Sequence, residues 1–266
     1  MSEFAQNAAN RKGCDAHHKR GLELLRAAFR FARVSQQAES QSANLLLLTW
    51  TAGMLDALSY IRAHVFTANM TGNLVLLGIH LVERDFPDAG RALLALFAFA
   101  AGCFVAGLLI LEKEDRGRPV MPIGFSAEFI FLLIFAGLFQ LDRTPGGYLL
   151  QGALICTAAA ALAIQSVVVR RLNVSGVVTT FLTGTITTSM LGVVRIVRKQ
   201  KRTGAGGERA EEVHVALLLR MLAVYLAAVV FATVLSSRVS WIIAITPAVI
   251  LAVVLWRSTG EVDRPE

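Results

Sequence analysis

Hydrophobic positions along the chain gather into eight runs, roughly 45–61, 65–82, 92–111, 122–141, 148–169, 174–194, 216–236 and 240–256. Most have the length of about 17–25 residues that carries a helix across a bilayer core. The polar linkers between them are short, except for RIVRKQKRTGAGGERAEEVH at 195–214. That linker is charged and rich in glycine, so a flexible loop is expected. The pattern predicts an all-α, polytopic helical membrane protein with about six to eight membrane segments.

One stretch breaks the apolar pattern. Residues 52–78, AGMLDALSYIRAHVFTANMTGNLVLLG, carry Asp56, Arg62, His64, Asn69, Thr71 and Asn73 among apolar neighbours. An ionisable residue at membrane depth costs about 2.5–3.5 kcal/mol on insertion scales, and it pairs or lines a wet cavity. Asn69 and Asn73 are four apart, so on a helix they share a face, with Gly72 beside them. Two amides on one face need several hydrogen-bond partners. For Asp56, a structural ion pair or cap and a site for a proton or cation both fit. Arg62, six residues on, is off its helical face. Asn69 or Asn73, folded back across the Arg62–His64 turn, are therefore its expected partners, in a pocket suited to a proton or small cation. His80 falls on the same stripe as Asn73. Glu128 stands near the start of its segment and is expected to reach the interface.

The same pattern recurs. Thr67–Gly72, TANMTG, returns as Thr179–Gly184, TTFLTG; Gln165-Ser166 stands where Asp56-Ala57 does, and Arg171 where Arg62 does. Four apolar segments precede residue 142 and four follow it. The chain therefore reads as two internal repeats, 44–141 and 148–256, between a basic extension, 1–43, and a polar tail, 257–266. Gln165 cannot ionise, so the halves are not chemically equal. Thr180, Thr183, Gly184, Thr187 and Thr188 form a small, hydroxylated face on the second motif. Small and hydroxyl residues suit close helix packing in membranes, which would put Gly72 and Gly184 at close central contacts. They also suit a polar path for a solute. Transporters often place such sites on interrupted helices where repeats meet.

Charge changes the picture only in orientation. The formal net charge is +7 with 17% charged residues, and mean hydropathy is +0.58. Basic residues gather in cytoplasmic loops. With residues 1–43 inside, an eight-span count and a count of six with re-entrant pairs both place the two termini and the 195–214 loop in the cytoplasm. Within the extension, 21–34 has the spacing of an interfacial helix. No nucleic-acid motif, metal-ligand spacing, cofactor signature or nucleophile–base pair occurs, so no catalytic residue, metal or cofactor is expected. Cys14, Cys103 and Cys156 are isolated. No cleavable signal peptide is expected, because the first apolar run starts only near Leu45.

AGMLDALSY, VFTANMTGNLVLLG, AIQSVVVRRL and VVTTFLTGT together resemble the YoaK family of bacterial membrane proteins, also called DUF1275, over about residues 43–256. The family usually has a Gln-Asn pair where this chain has Gln165-Ser166. The resemblance implies a helical fold in the bacterial inner membrane and no particular substrate. The residues themselves point to a transporter or channel for a small polar solute, with Asp56, Asn69, Thr71, Gly72, Asn73, Gln165, Thr179, Thr180, Thr183 and Gly184 on its path. The rival is a scaffold or sensor whose motif residues hold helices together. The expected partners are the lipid bilayer and a small solute, not nucleic acid.

Overall fold

The computed structural model describes residues 39–116, 120–141, 147–171, 182–199, 208–236 and 240–262. The interfacial helix expected at 21–34 lies outside them. Two units divide after Ala43. In the first, residues 39–43 are helical. The second carries α1 over 44–63, then α2 (Met70–Glu83), α3 (Phe86–Asp115), α4 (Val120–Leu141), α5 (Tyr148–Arg171), α6 (Leu182–Lys199), α7 (Glu208–Ser236) and α8 (Ser240–Val262). The protein is an all-α, polytopic membrane protein. Helices α3, α4, α5 and α7 contain spans long and apolar enough to cross a bilayer, and bulky apolar side chains such as Phe97 and Phe104 stay two-thirds exposed for lipid to cover.

Burial separates the helices by role. The apolar window of α5 is 67% buried, that of α3 only 17%, so α5 is central and α3 faces lipid. Composition explains it: Ala158–Ala163 gives α5 a run of small side chains except Leu162. A Cβ on Gly102 of α3 would meet Ala163 Cβ at 2.8 Å and the Ala160 Cα at 3.3 Å. Close backbone approach through small residues is the usual currency of helix packing in lipid.

The helix senses follow from contacts. Gln151 and Gln165 of α5 donate to the carbonyls of Arg62 and Leu48, so α1 and α5 are antiparallel. Gly152 faces Leu94, and Gly102 faces Ala160 and Ala163, so α3 and α5 are parallel. Against α7, Trp50 meets Phe231, Gly53 meets Ala228, and Asp56 meets Tyr225, so α1 and α7 are antiparallel.

The helix senses bear on two expectations. Under the repeat, α7 with α1 corresponds to α3 with α5, yet one pair is antiparallel and the other parallel. The halves match in segment order and not in the packing of these pairs. Moreover, α7 starts on the face opposite to Asn44. The charge pattern alone does not show which helices run antiparallel.

Residues 64–69 interrupt the first segment. Helix α1 stops at His64, whose φ of 56° is left-handed. The chain then folds back until the backbone of Thr67 and Ala68 reaches Asp56, about two turns below the end of α1. Helix α2 starts there. Ala63 and Val65 pack with Leu76, Leu77, Ala92 and Ala95, so α2 climbs beside the end of α1 in the same sense. Its 14 residues span about 21 Å, short of the roughly 30 Å core. Together α1 and α2 make one crossing in two parts. Arg84, left-handed at φ 62°, and Asp85, which caps α3 by accepting the Asp88 N–H at 3.3 Å, turn the chain into α3.

Two substitutions test the packing at α5. Gly102→Leu should lower thermal stability in detergent by about 1–3 kcal/mol through overpacking. Gly107→Leu, where a Cβ meets nothing within 4 Å, should stay within about 0.5 kcal/mol of wild type. Equal losses at both glycines would refute the α3·α5 contact.

Candidate functional site

The polar groups of the first motif converge on the turn at 64–69. Asp56 is 2% exposed. Its Oδ1 accepts the backbone N–H of Thr67 at 2.7 Å and of Ala68 at 2.6 Å, and the Thr67 hydroxyl at 3.4 Å. Its Oδ2 accepts the Tyr225 hydroxyl from α7 at 2.6 Å. Every partner is a donor, which suits an ionised carboxylate, an acceptor only. Charge-assisted bonds of this kind are roughly twice as strong as neutral ones.

Asn73 holds the other side of the turn. The Phe66 N–H donates to its Oδ1 at 2.8 Å, and its Nδ2 donates to the Phe66 carbonyl at 2.6 Å. The amide thus satisfies one residue's backbone as a neighbouring strand would. The Phe66 ring stacks on Tyr60 at 5.0 Å. Asn69 caps α2: its Oδ1 accepts the Gly72 N–H at 3.2 Å and the Thr71 hydroxyl at 2.9 Å, filling one of the orphan donor positions of a helix start. A Cβ on Gly72 would meet the Phe66 ring at 2.9 Å and Asn69 Nδ2 at 3.0 Å. Gly72 therefore sits at a close contact, with the turn rather than with another helix.

These distances correct the expected pocket. Asp56 does not bond Asn69 or Asn73; the turn's own backbone and Tyr225 take those places. Sequence reasoning passed over Tyr225, although an aromatic hydroxyl in an apolar run needs a partner and is a readable signal. Gln165 is fully buried and bridges to α1 through the Leu48 carbonyl at 3.2 Å. Arg62 lies over the Phe139 ring, 4.6 Å from its centroid, and Arg171 pairs with Glu114 at 3.2 Å.

The second motif does not mirror the first. Thr179 and Thr180 lie outside the described residues, as does the Thr183 side chain. Gly184 is exposed, with open space where a Cβ would stand, so it is not at a close central contact. The buried face of α6 carries Thr185, Ser189 and Gly192; the Ser189 hydroxyl donates to the Thr185 carbonyl at 2.7 Å. This stripe at i, i+4 and i+7 is rotated away from Gly184 and Thr187, and half-buried Thr188 borders it.

Three other groups bear on chemistry. His80, Asp85 and Asp88 could bring ligand atoms within 4.8 Å of one another, but Asp85 caps α3 and Asp88 pairs with Arg91 and with His64. His80 therefore joins the α2–α3 turn, two turns along the stripe of Asn73. An apolar cavity of about 470 Å³ between α3, α4 and α5, lined by Val105, Phe131 and Ala160 among others, includes none of the motif residues. Lastly, Glu128 is not at the interface. It is 0% exposed, and neither carboxyl oxygen has a hydrogen-bond partner among the described residues. Its stripe, Phe125, Glu128, Leu132 and Phe135, was readable at helical spacing, but distance from the segment's start hid it.

Comparison with known proteins agrees with a membrane protein. The family described as "Protein of unknown function (DUF1275)" matches residues 44–256. The UPF0700 transmembrane protein YoaK of Bacillus subtilis (strain 168) is 32% identical over 164 residues, 60% of this chain and 71% of that protein. No solved structure matches.

If Asp56 holds the turn, its neighbours should show it in stability. Tyr225→Phe should cost about 1.5–3 kcal/mol, the value of a hydrogen bond to a charged group. Asp56→Ala should cost more than Asp56→Asn, because it strands two buried N–H groups at about 1–3 kcal/mol each. Thermal unfolding in detergent reads all three, and a wild-type midpoint for Asp56→Ala would overturn the assignment.

Proposed function

We propose that this chain, which belongs to the DUF1275 family, moves a small polar or ionic solute across the bacterial inner membrane. The observation that carries this reading is the interrupted helix at 64–69. Non-helical backbone at membrane depth persists only where protein buries it or where it lines a water-filled cavity. Transporters place substrate sites at the ends of such broken helices. Here the start of α2 offers Asn69, Thr71 and Gly72, with Thr71 exposed and the positive end of a helix dipole behind it. Asp56, Asn73 and Gln165 hold this ledge from the interior side. Thr179, Thr180, Thr183 and Gly184 are its proposed counterparts on the second motif, and the matching order of four segments in each half supports an internal repeat.

We place the basic extension 1–43 in the cytoplasm, on the charge rule. The antiparallel α1 and α7 then favour a periplasmic start for α7. A second reading has its own observation. Asp56, Asn69 and Asn73 spend their hydrogen bonds on the turn itself, as a non-transporting scaffold or sensor would also require. Neither reading assigns the protein an enzymatic reaction.

Orientation is testable in intact cells with single cysteines at the two exposed positions Arg116, at the end of α3, and Glu212, at the start of α7. They should label from opposite faces, and labelling from one face would refute the helix senses. For transport, small polar metabolites should be screened by thermal shift on the purified protein. A ligand that binds only the folded state raises the midpoint, by about 2.7 kcal/mol of stabilisation at a hundred times its Kd. The hit should cross proteoliposome membranes, and Thr71→Val should lose both effects while keeping the unliganded midpoint. A ligand that binds without flux would favour the sensor; unaltered flux in Thr71→Val would remove the α2 ledge from the path.

A further inference from the structure

We infer that Glu128 is a proton-binding site in the membrane interior, a carboxyl that takes up and releases a proton as part of the protein's working cycle. Two buried carboxyls stand among the described residues, and their surroundings are opposite. Asp56 receives four hydrogen bonds. Glu128, equally buried, receives none among the described residues. Helices α3, α5 and α8 pack against α4, and Arg62 of α1 reaches it at Phe139. The titratable or charged side chains described on those helices are Asp88, Arg91, Cys103, Glu112, Lys113, Glu114 and Asp115 on α3, Tyr148, Cys156, Arg170 and Arg171 on α5, Arg257 on α8, and Asp56, Tyr60 and Arg62 on α1. None of them hydrogen-bonds Glu128.

A carboxylate left without partners in an apolar interior costs several kcal/mol, so the resting side chain carries its proton. The neutral acid still leaves a polar group unpaired, which is itself unfavourable. A leucine would pack among Phe125, Leu132 and Phe135 without that cost. A structural role needs a contact to act through, and among the described residues Glu128 makes no polar one. What the carboxyl offers over leucine is the reversible O–H bond. Release breaks that bond, leaves a carboxylate, and passes the proton to water; uptake reverses both.

That the proton accompanies a solute rests on the transport reading above; that Glu128 exchanges a proton does not. Dicyclohexylcarbodiimide separates the two claims, because it modifies protonated carboxyls in apolar surroundings. In the full chain in detergent, peptide mass spectrometry should find the adduct on Glu128 and not on Asp56. Its yield should fall as pH rises, approaching about tenfold per pH unit above the midpoint. Glu128→Gln should lose the adduct and unfold no earlier than wild type. No adduct on Glu128 at any pH at which the protein is folded, or a yield indifferent to pH, would overturn the inference. In proteoliposomes, a pH gradient should drive solute into wild-type vesicles and not into Glu128→Gln vesicles. An adduct with the expected pH profile but no flux of any solute would leave the proton site standing and sink the transport reading instead.

Discussion

A carboxylate below the end of α1 gathers two backbone N–H groups, a threonine hydroxyl and a tyrosine hydroxyl, and the first half of the protein takes its shape from that gathering. In water the N–H groups of Thr67 and Ala68 could bond to solvent; at membrane depth they cannot. Asp56 supplies the acceptor. Once those two residues are drawn down to it, the chain from His64 to Asn69 must double back, and α2 must begin inside the protein. Asn73 and Asn69 complete the arrangement, one closing on Phe66 and the other capping α2. The polar residues that make this stretch improbable as a plain span are the ones that let it stop being helical.

Around this turn the rest of the chain behaves as lipid requires. There is little hydrophobic drive between helices in a bilayer, so close fit decides which of them are central. The alanines of α5 admit Gly102 from α3 on one side, and its Gln165 reaches α1 on another. Gly53 plays the same part on α1, where a Cβ would lie 2.8 Å from the Tyr225 carbonyl. That close approach brings the Tyr225 ring into α1 with its hydroxyl at Asp56.

Much of this was written in the sequence. Apolar runs gave the segments, and the density of polar residues between 52 and 78 marked the turn. The TANMTGN motif carried the family. Other features were not legible, for definite reasons. Asp56 finds its acceptor role through Tyr225, far along the chain, and a single sequence does not show which helices touch. The hydroxyls of the second motif suggested a face through Gly184, but the α6 stripe that packs runs through Thr185 and Ser189, because α7 lies on that side. Helix senses followed from neither charge nor length. Glu128 was visible on an apolar stripe, but the sequence could not say that the stripe points inward.

The bond between Tyr225 and Asp56 joins residues 169 positions apart, and chains are made from one end. At about 5–20 residues per second, on the order of ten to thirty seconds of synthesis separate the two. Throughout that interval the first helices sit in or beside the insertion machinery with one carboxylate oxygen still unpaired by the protein. The re-entrant turn is therefore provisional until the seventh helix arrives, and the newborn first half is the moment at which this protein is most exposed to quality control.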